Sequence, residues 1–252
     1  MISSTASKSG GAGELVKTVV VAVLIALSIR TFAYEPFNIP SGSMKPTLLV
    51  GDYLFVSKIS YGYSRYSLPF SPPLVPGRVL FTEPKRGDVI VFKKPTDTST
   101  DFIKRLIGLP GDKIQVQKGI LHINGIAAPR RRIDDFKVLD GFGRERGIPQ
   151  FVETLPNGLE HLILEAHGDR GGMDNTRVFE IPEGYYFMLG DNRDNSGDSR
   201  VPVRNGGAGI VPASNIIGRA EIVLLSVEED FVLYKPWTWG NLRGDRFFER
   251  IK

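Results

Sequence analysis

The sequence predicts a mainly β protein with one N-terminal helix, and three observations carry that expectation. Its 252 residues include 28 glycines and 17 prolines, a turn-rich composition that suits many short strands rather than a helix bundle. Gly-Asp followed by an apolar-rich run recurs at Gly51-Asp52-Tyr53-Leu54-Phe55-Val56, at Gly87-Asp88-Val89-Ile90-Val91-Phe92 and at Gly111-Asp112-Lys113-Ile114-Gln115-Val116. Glycine permits positive φ and aspartate bonds to nearby backbone amides, so each is a turn feeding a strand. Against this, only one long apolar segment is present, at residues 15–34.

Taken in order, residues 1–14 are small and polar and read as a flexible tail. In the segment 15–34 the uncharged run from Thr18 to Ile29 is short for a membrane span. Lys17 and Arg30 sit at its ends, however, where long side chains snorkel to the interface. From Leu15 to Tyr34 a helix would reach about 30 Å, the thickness of a bilayer core. Phe32 and Tyr34 would then be interfacial aromatics. A cleaved signal peptide and a buried core helix compete with a membrane anchor. Arg30, just before the poor cleavage site Thr31-Phe32-Ala33, counts against the signal peptide. Flanking charge is nearly balanced, so orientation is weakly specified.

Pro36, Pro40 and Pro46 end the helix. Strands are expected near 37–39, 53–58, 79–82, 89–93, 101–107, 113–117, 120–123, 185–188 and 219–226, with a hairpin tip at Ile123-Asn124-Gly125-Ile126. Residues 60–78 form a Tyr/Ser/Pro-rich loop. Residues 127–180 are more polar and irregular, and read as a subdomain inserted into a β core. Arg130, Arg131 and Arg132 in it are most simply a solvated surface. The chain thus divides into a tail (1–14), an anchor (15–34), a first part of the core (35–126), the insertion (127–180), and a second part with the C-terminal tail (181–252). Residues 235–252 interleave Trp237, Trp239, Phe247 and Phe248 with Lys235, Arg243, Arg246, Arg250 and Lys252. That pattern suits a membrane surface, and equally the solvated rim of a β core.

Composition excludes several chemistries. With 41% hydrophobic and 24% charged residues the bulk of the chain folds. The absence of cysteine removes disulfides, thiol nucleophiles and cysteine-ligated zinc. Three histidines (His122, His161, His167) leave little material for a histidine triad or metal site. A net charge of +4 is too small and scattered to argue for nucleic acid.

Three clusters carry possible chemistry. In Pro40-Ser41-Gly42-Ser43-Met44-Lys45-Pro46-Thr47-Leu48, two serines flank a glycine, which lets a polypeptide approach the backbone closely. Taken alone, it is also a proline-stiffened turn. In Asp101–Asp112, strand alternation places Lys104 on one face with Phe102 and Leu106. Apolar neighbours disfavour the ammonium and lower a lysine pKa, as a lysine base requires, although a lysine snorkelling from a strand edge has the same pattern. Gly190-Asp191-Asn192-Arg193-Asp194-Asn195-Ser196-Gly197-Asp198-Ser199-Arg200 invites a calcium reading. Its spacing fails the EF-hand pattern, because Arg193 occupies a ligand position and no downstream glutamate closes the loop. The alternative is a polar scaffold of Asp–Arg pairs.

The order of these segments is more specific than any one of them. Ser-Gly-Ser-Met-x-Pro-Thr is followed by Arg-Gly-Asp-x-x-x-Phe at 86–92. Next come Ile-Lys-Arg-x-x-Gly-Leu-Pro-Gly-Asp and Gly-Asp-Asn-Arg-Asp-Asn-Ser-x-Asp-Ser-Arg. This series resembles the bacterial type I signal peptidases, across most of residues 35–226 apart from the insertion. The resemblance implies a signal-peptidase-like β catalytic core with an inserted subdomain and one transmembrane helix. It implies a Ser–Lys dyad, with Ser43 as nucleophile and Lys104 as general base. Ser41 would join the Ser43 N–H in the oxyanion hole, Ser196 would orient the lysine, and Asp198 and Arg200 would hold the site together. It implies no cofactor, no metal and no nucleic acid, with preprotein signal peptides and membrane lipid as partners, and a preference for small residues at −1 and −3. An enzyme that works on signal peptides at the membrane should keep its own anchor, which favours a single pass in the bacterial inner membrane. The N-terminus would be cytoplasmic and the catalytic domain extracytoplasmic. A specialised pilin- or conjugation-type peptidase shares these motifs. A self-cleaving repressor lacks support because no helix-turn-helix precedes the site, and a non-catalytic tethered binding module would be inert toward preproteins.

Overall fold

The structure, a computed structural model, describes residues 11–68, 71–73, 75, 77–139, 142–228 and 230–252. It opens with helix α1, Gly11–Phe32. Most of the expected tail lies outside the described residues, and the helix starts earlier than the expected 15. It also stops earlier than 34, because Tyr34 already pairs with Ser57 as the first residue of a strand. Large apolar side chains along α1 from Leu15 to Phe32 are 45–65% exposed, and none of the described residues covers them. Its window Gly13–Phe32 has a mean hydropathy of 2.1, long and apolar enough to cross a membrane. Thr18 and Ser28 turn their hydroxyls back onto the carbonyls of Glu14 and Leu24, each at 2.8 Å, and so satisfy themselves within the helix.

Beyond the helix the fold is built from antiparallel strands. Eleven of them frame the description: β1 (Tyr34–Asn38), β2 (Asp52–Ser57), β3 (Val89–Lys94), β4 (Asp97–Gly108), β5 (Lys113–Gln117), β6 (Ile120–Ile123), β7 (Arg130–Leu139), β8 (Glu145–Thr154), β9 (Glu160–Leu164), β10 (Tyr185–Leu189) and β11 (Ile216–Ser226). The principal sheet runs β1-β2-β11-β3-β4-β10, with Val211–Pro212 at its far edge and Glu249–Arg250 paired to β11. Its strands come from both sides of the 127–180 segment.

The Gly-Asp repeat has one structural basis at all three places. Gly51, Gly87 and Gly111 hold φ of 91°, 97° and 84°. The following Asp52, Asp88 and Asp112 accept the backbone N–H three residues back, at 2.8, 2.8 and 2.7 Å. Each turn is thereby closed by one carboxylate as the strand begins. The expected hairpin tip also forms, with Ile123 pairing with Ile126 across Asn124 and Gly125.

The segment 127–180 departs from expectation. It is not irregular: β7, β8 and β9 form a separate antiparallel sheet, with a register shift between Ile133 and Phe136. β7 leaves both faces largely exposed, so its residues carry no apolar alternation by which sequence reveals a strand. Nor is Arg130 a solvated surface group. Its side chain is only 10% exposed and pairs with Glu165 and Asp169. Near 79–82 only Arg78–Val79 pairs, against Tyr63–Ser64.

Candidate active site

Ser43 lies in a single 3₁₀ turn, Gly42–Met44, between β1 and β2. Its neighbour Met44 is fully buried with Leu48 in a cluster that includes Ile39, Val91 and Ile103. Burial of Met44 anchors the turn, and Ser43 is left at the surface of that core, 8% exposed. Lys104 projects from β4, where Ile90 of β3 is its partner in register. Its Nζ lies 2.7 Å from Ser43 Oγ, donates to the Ile103 carbonyl at 2.8 Å, and sits 5.3 Å from the centre of the Phe102 ring.

Lys104 is 4% exposed. Burial lowers its pKa to about 8, partly opposed by the carboxylates of Asp198 and Asp191. At pH 7 roughly a tenth of such a lysine is neutral, against less than a thousandth at the ordinary value. A neutral amine at hydrogen-bond distance can take the hydroxyl proton of a serine.

The loop after β10 packs beneath this pair. Asn192 donates its backbone N–H to the Ser43 carbonyl at 3.1 Å and its side-chain amide to the Gly42 carbonyl at 2.9 Å. A Cβ at Gly190 would stand 2.2 Å from Ser196 Oγ and 2.6 Å from the Ser43 carbonyl, so only glycine permits this approach. Gly190 N–H donates to Asp198 at 3.1 Å, and Arg200 grips the same carboxylate through Nε at 3.0 Å and Nη2 at 2.8 Å. Burial would raise the Asp198 carboxyl, but the Arg200 guanidinium and two backbone N–H groups hold it below its ordinary value.

Each residue implicated by the sequence has a definite place. Ser41 Oγ lies 3.3 Å from Ser43 Oγ, on the rim of the turn. Asp198 and Arg200 form a buried pair. Ser196 is buried, yet its Oγ has no hydrogen-bond partner, so the expected Ser196–Lys104 bond is not formed. Ser43 and Lys104 open onto a cleft of about 580 Å³ whose walls include Phe37, Ile39, Val91, Asp101 and Ile103.

Sequence reasoning missed a buried ionic chain behind the site. Arg105, on the opposite face of β4 from Lys104, makes a bidentate pair with Asp191 at 2.9 and 2.7 Å, and Thr47 donates to the same carboxylate at 2.6 Å. His161 of β9 stands 3.5 Å from Asp191 and 3.2 Å from Glu153 of β8, which is clasped in turn by Arg193. Burial would raise both carboxyls. For Asp191 the Arg105 charge reverses this and holds it far below the usual range. For Glu153 the Arg193 guanidinium brings it down to about 2. Strand alternation placed Arg105 on its face. Nothing local marked Glu153 or His161, whose partners are distant in sequence.

The chain matches the family described as signal peptidase, peptidase S26, over residues 12–225. It is 45% identical over 249 residues to signal peptidase I of Rickettsia akari (strain Hartford), covering 91% of this chain and 89% of that protein. To signal peptidase I of Rickettsia typhi (strain Wilmington) it is 46% identical over 247 residues, covering 91% and 90%. Among solved structures, a signal peptidase I from Enterococcus faecalis V583 aligns with a TM-score of 0.31 at 25% identity, covering 55% of this chain and 97% of that one.

Proposed function

Because the chain belongs to the signal peptidase family, peptidase S26, a family of serine peptidases, we propose that it cuts N-terminal signal peptides from exported preproteins with Ser43 as nucleophile and Lys104 as general base. The observation that carries the assignment is the buried 2.7 Å contact between Lys104 Nζ and Ser43 Oγ at the floor of an open cleft.

Neutral Lys104 accepts the Ser43 proton as Oγ attacks the carbonyl carbon of residue −1. The resulting oxyanion is met by the Ser43 N–H and the Ser41 hydroxyl, donors of a kind that each contribute roughly 3–4 kcal/mol. Collapse of the intermediate breaks the C–N bond, and the Lys104 ammonium protonates the leaving amine. Water, deprotonated by the same lysine, then hydrolyses the ester and restores Ser43. Asp198 and Arg200 support the loop that backs the pair. No step requires a metal or cofactor.

The substrate lies in the cleft as an added strand. Two features support this. β1 is the outermost strand of its sheet, and residues 101–104 of β4 pair with β3 on one side only, because β10 joins β4 from Arg105 onward. Small side chains at −1 and −3 face the apolar wall, and −2 points away. Helix α1 anchors the enzyme as a single pass in the inner membrane, with the N-terminus cytoplasmic. Residues 35–126 and 181–252 act as one core interrupted by 127–180, a reading supported by a principal sheet that draws strands from both parts and none from β7–β9.

The test is incubation of the detergent-solubilised full chain with a preprotein, beside Ser43→Ala and Lys104→Ala. Each substitution should lower cleavage by about 10³-fold or more while thermal unfolding stays unchanged, because nucleophile and base act as one unit. Comparable activity in either folded variant, or inertness of the unmodified chain, would remove the assignment.

A further inference from the structure

Away from Ser43 and Lys104, the loops that follow β9 and β10 bring three carboxylates together. Glu165, Asp174 and Asp194 each offer an oxygen, and these oxygens lie within 4.8 Å of one another. Glu165 and Asp174 are both 1% exposed, and Glu165 Oε2 and Asp174 Oδ1 are buried without a hydrogen-bond partner. The approach depends on a glycine, because a Cβ at Gly171 would stand 2.2 Å from Asp194 Oδ1 and 3.1 Å from Asp174 Oδ2.

The surrounding groups do not neutralise this cluster. Arg130 lies 3.5 Å from Glu165 Oε1 and divides its charge with Asp169. Arg193 and Arg200 are held by Glu153 and Asp198. Among the described residues the other contacts to the acidic side chains are backbone N–H groups, from Gly171 to Asp174 and from His167 to Asp194 at 2.7 Å, and the His167 ring, 3.6 Å from Asp194. Buried carboxylate oxygens without donors are costly unless a cation or a proton meets them.

We propose that Glu165, Asp174 and Asp194 form a structural calcium site that ties the 127–180 segment to the loop carrying Asn195 and Ser196. An all-carboxylate set selects a hard cation. Calcium holds oxygens at about 2.3–2.6 Å, so two oxygens across the ion stand about 5 Å apart, which accommodates this cluster as it is. Magnesium, at about 2.0–2.1 Å, demands a stricter octahedron and keeps several waters, so it suits a carboxylate cage of this kind less well. The proposal departs from the expectation of no metal. The calcium reading of the sequence weighed only the contiguous run 190–200, from which Asp194 alone is used here. The site plays no part in the proposed peptide-bond chemistry and stands or falls without it.

The full chain, purified in detergent and stripped with a chelator, is titrated with calcium chloride and followed by equilibrium dialysis and thermal unfolding. Uptake of one calcium per chain is expected, with Kd of about 0.1–1 mM. At 10 mM calcium the unfolding midpoint should rise by about 4 °C. Glu165→Gln and Asp174→Asn keep side-chain shape and remove charge. Each should weaken uptake at least tenfold, and each is read separately so that failure of one to fold leaves the other decisive. No uptake by the unmodified chain up to 10 mM overturns the proposal. Uptake unchanged in a folded Asp174→Asn or Glu165→Gln variant overturns it equally, because the ion would then sit elsewhere.

Discussion

Lys104 differs from an ordinary surface lysine through its position on β4, which buries the amine beside Phe102 and brings it to Ser43. Because burial lowers its folded-state pKa to about 8, the neutral base accumulates as pH rises through that value. The rate of cleavage under subsaturating preprotein should therefore climb about tenfold per pH unit below 7 and level off above about 8.5. A flat profile from pH 5 to 9 would remove lysine from the role of base. Lys104→Arg should be as inactive as Lys104→Ala, since a guanidinium stays charged and cannot take the serine proton. Recovered activity in that variant would mean that the side chain contributes charge alone.

At the scale of elements, the proposed contacts with substrate and membrane fall on two strand edges and one C-terminal segment. The β1 edge and the unpaired side of residues 101–104 line one cleft, and pairing along them would be tolerant of sequence. Selectivity then falls on alternate side chains. In a preprotein carrying Ala, Leu or Phe at −1, −2 or −3, cleavage should fall by about 10²-fold or more for Phe at −1 or −3 and by less than about threefold at −2. Equal intolerance at −2 would rule out an extended substrate. In the C-terminal segment, Trp237, Trp239 and Phe248 are 78%, 50% and 70% exposed, the arrangement expected of residues that enter a headgroup layer. A chain lacking residues 1–33, which keeps β1 whole, should bind vesicles containing anionic lipid. Trp237→Ala with Trp239→Ala should weaken that binding about tenfold or more. Binding unaffected by the pair would return these residues to the role of a solvated rim.

The molecule as a whole is joined by charge as well as by apolar burial. Glu153 and His161 of the β7–β9 sheet meet Arg193 and Asp191 of the loop after β10, and Asp191 meets Arg105 next to Lys104. Removing one partner of such a buried pair costs about 3–5 kcal/mol, because the other charge is left without compensation. Glu153→Gln should lower the unfolding midpoint at pH 7 on that account. The folded-state pKa of Glu153, about 2, lies below its ordinary 4.5, so its contribution is complete above that ordinary value and is lost as pH falls toward 2. The difference in stability between the unmodified chain and Glu153→Gln should therefore shrink from pH 5 to pH 3, as read by thermal unfolding. A difference independent of pH would show that the substitution acts through packing.

The sequence by itself determined what depends on near neighbours. The Gly-Asp turns, the strands near residues 89–93, 113–117 and 120–123, the hairpin at Asn124-Gly125 and the apolar helix all follow from backbone preference and local patterning. Ser43 and Lys104 were legible through motif order, and their apolar flanks were consistent with a lysine base. Tertiary structure alone decided what depends on residues distant along the chain. The exposed strand β7 lacks the alternation that reveals a half-buried strand. Arg130 looks solvated in sequence, and Glu153 and His161 carry no local mark; all three are covered only because another segment packs on and pairs with them. Asn192 meets the turn at Gly42 and Ser43, and Glu165 and Asp174 meet Asp194, through contacts that no spacing encodes. A charged side chain can be buried wherever folding supplies its partner, and the sequence of one segment does not contain the position of the other.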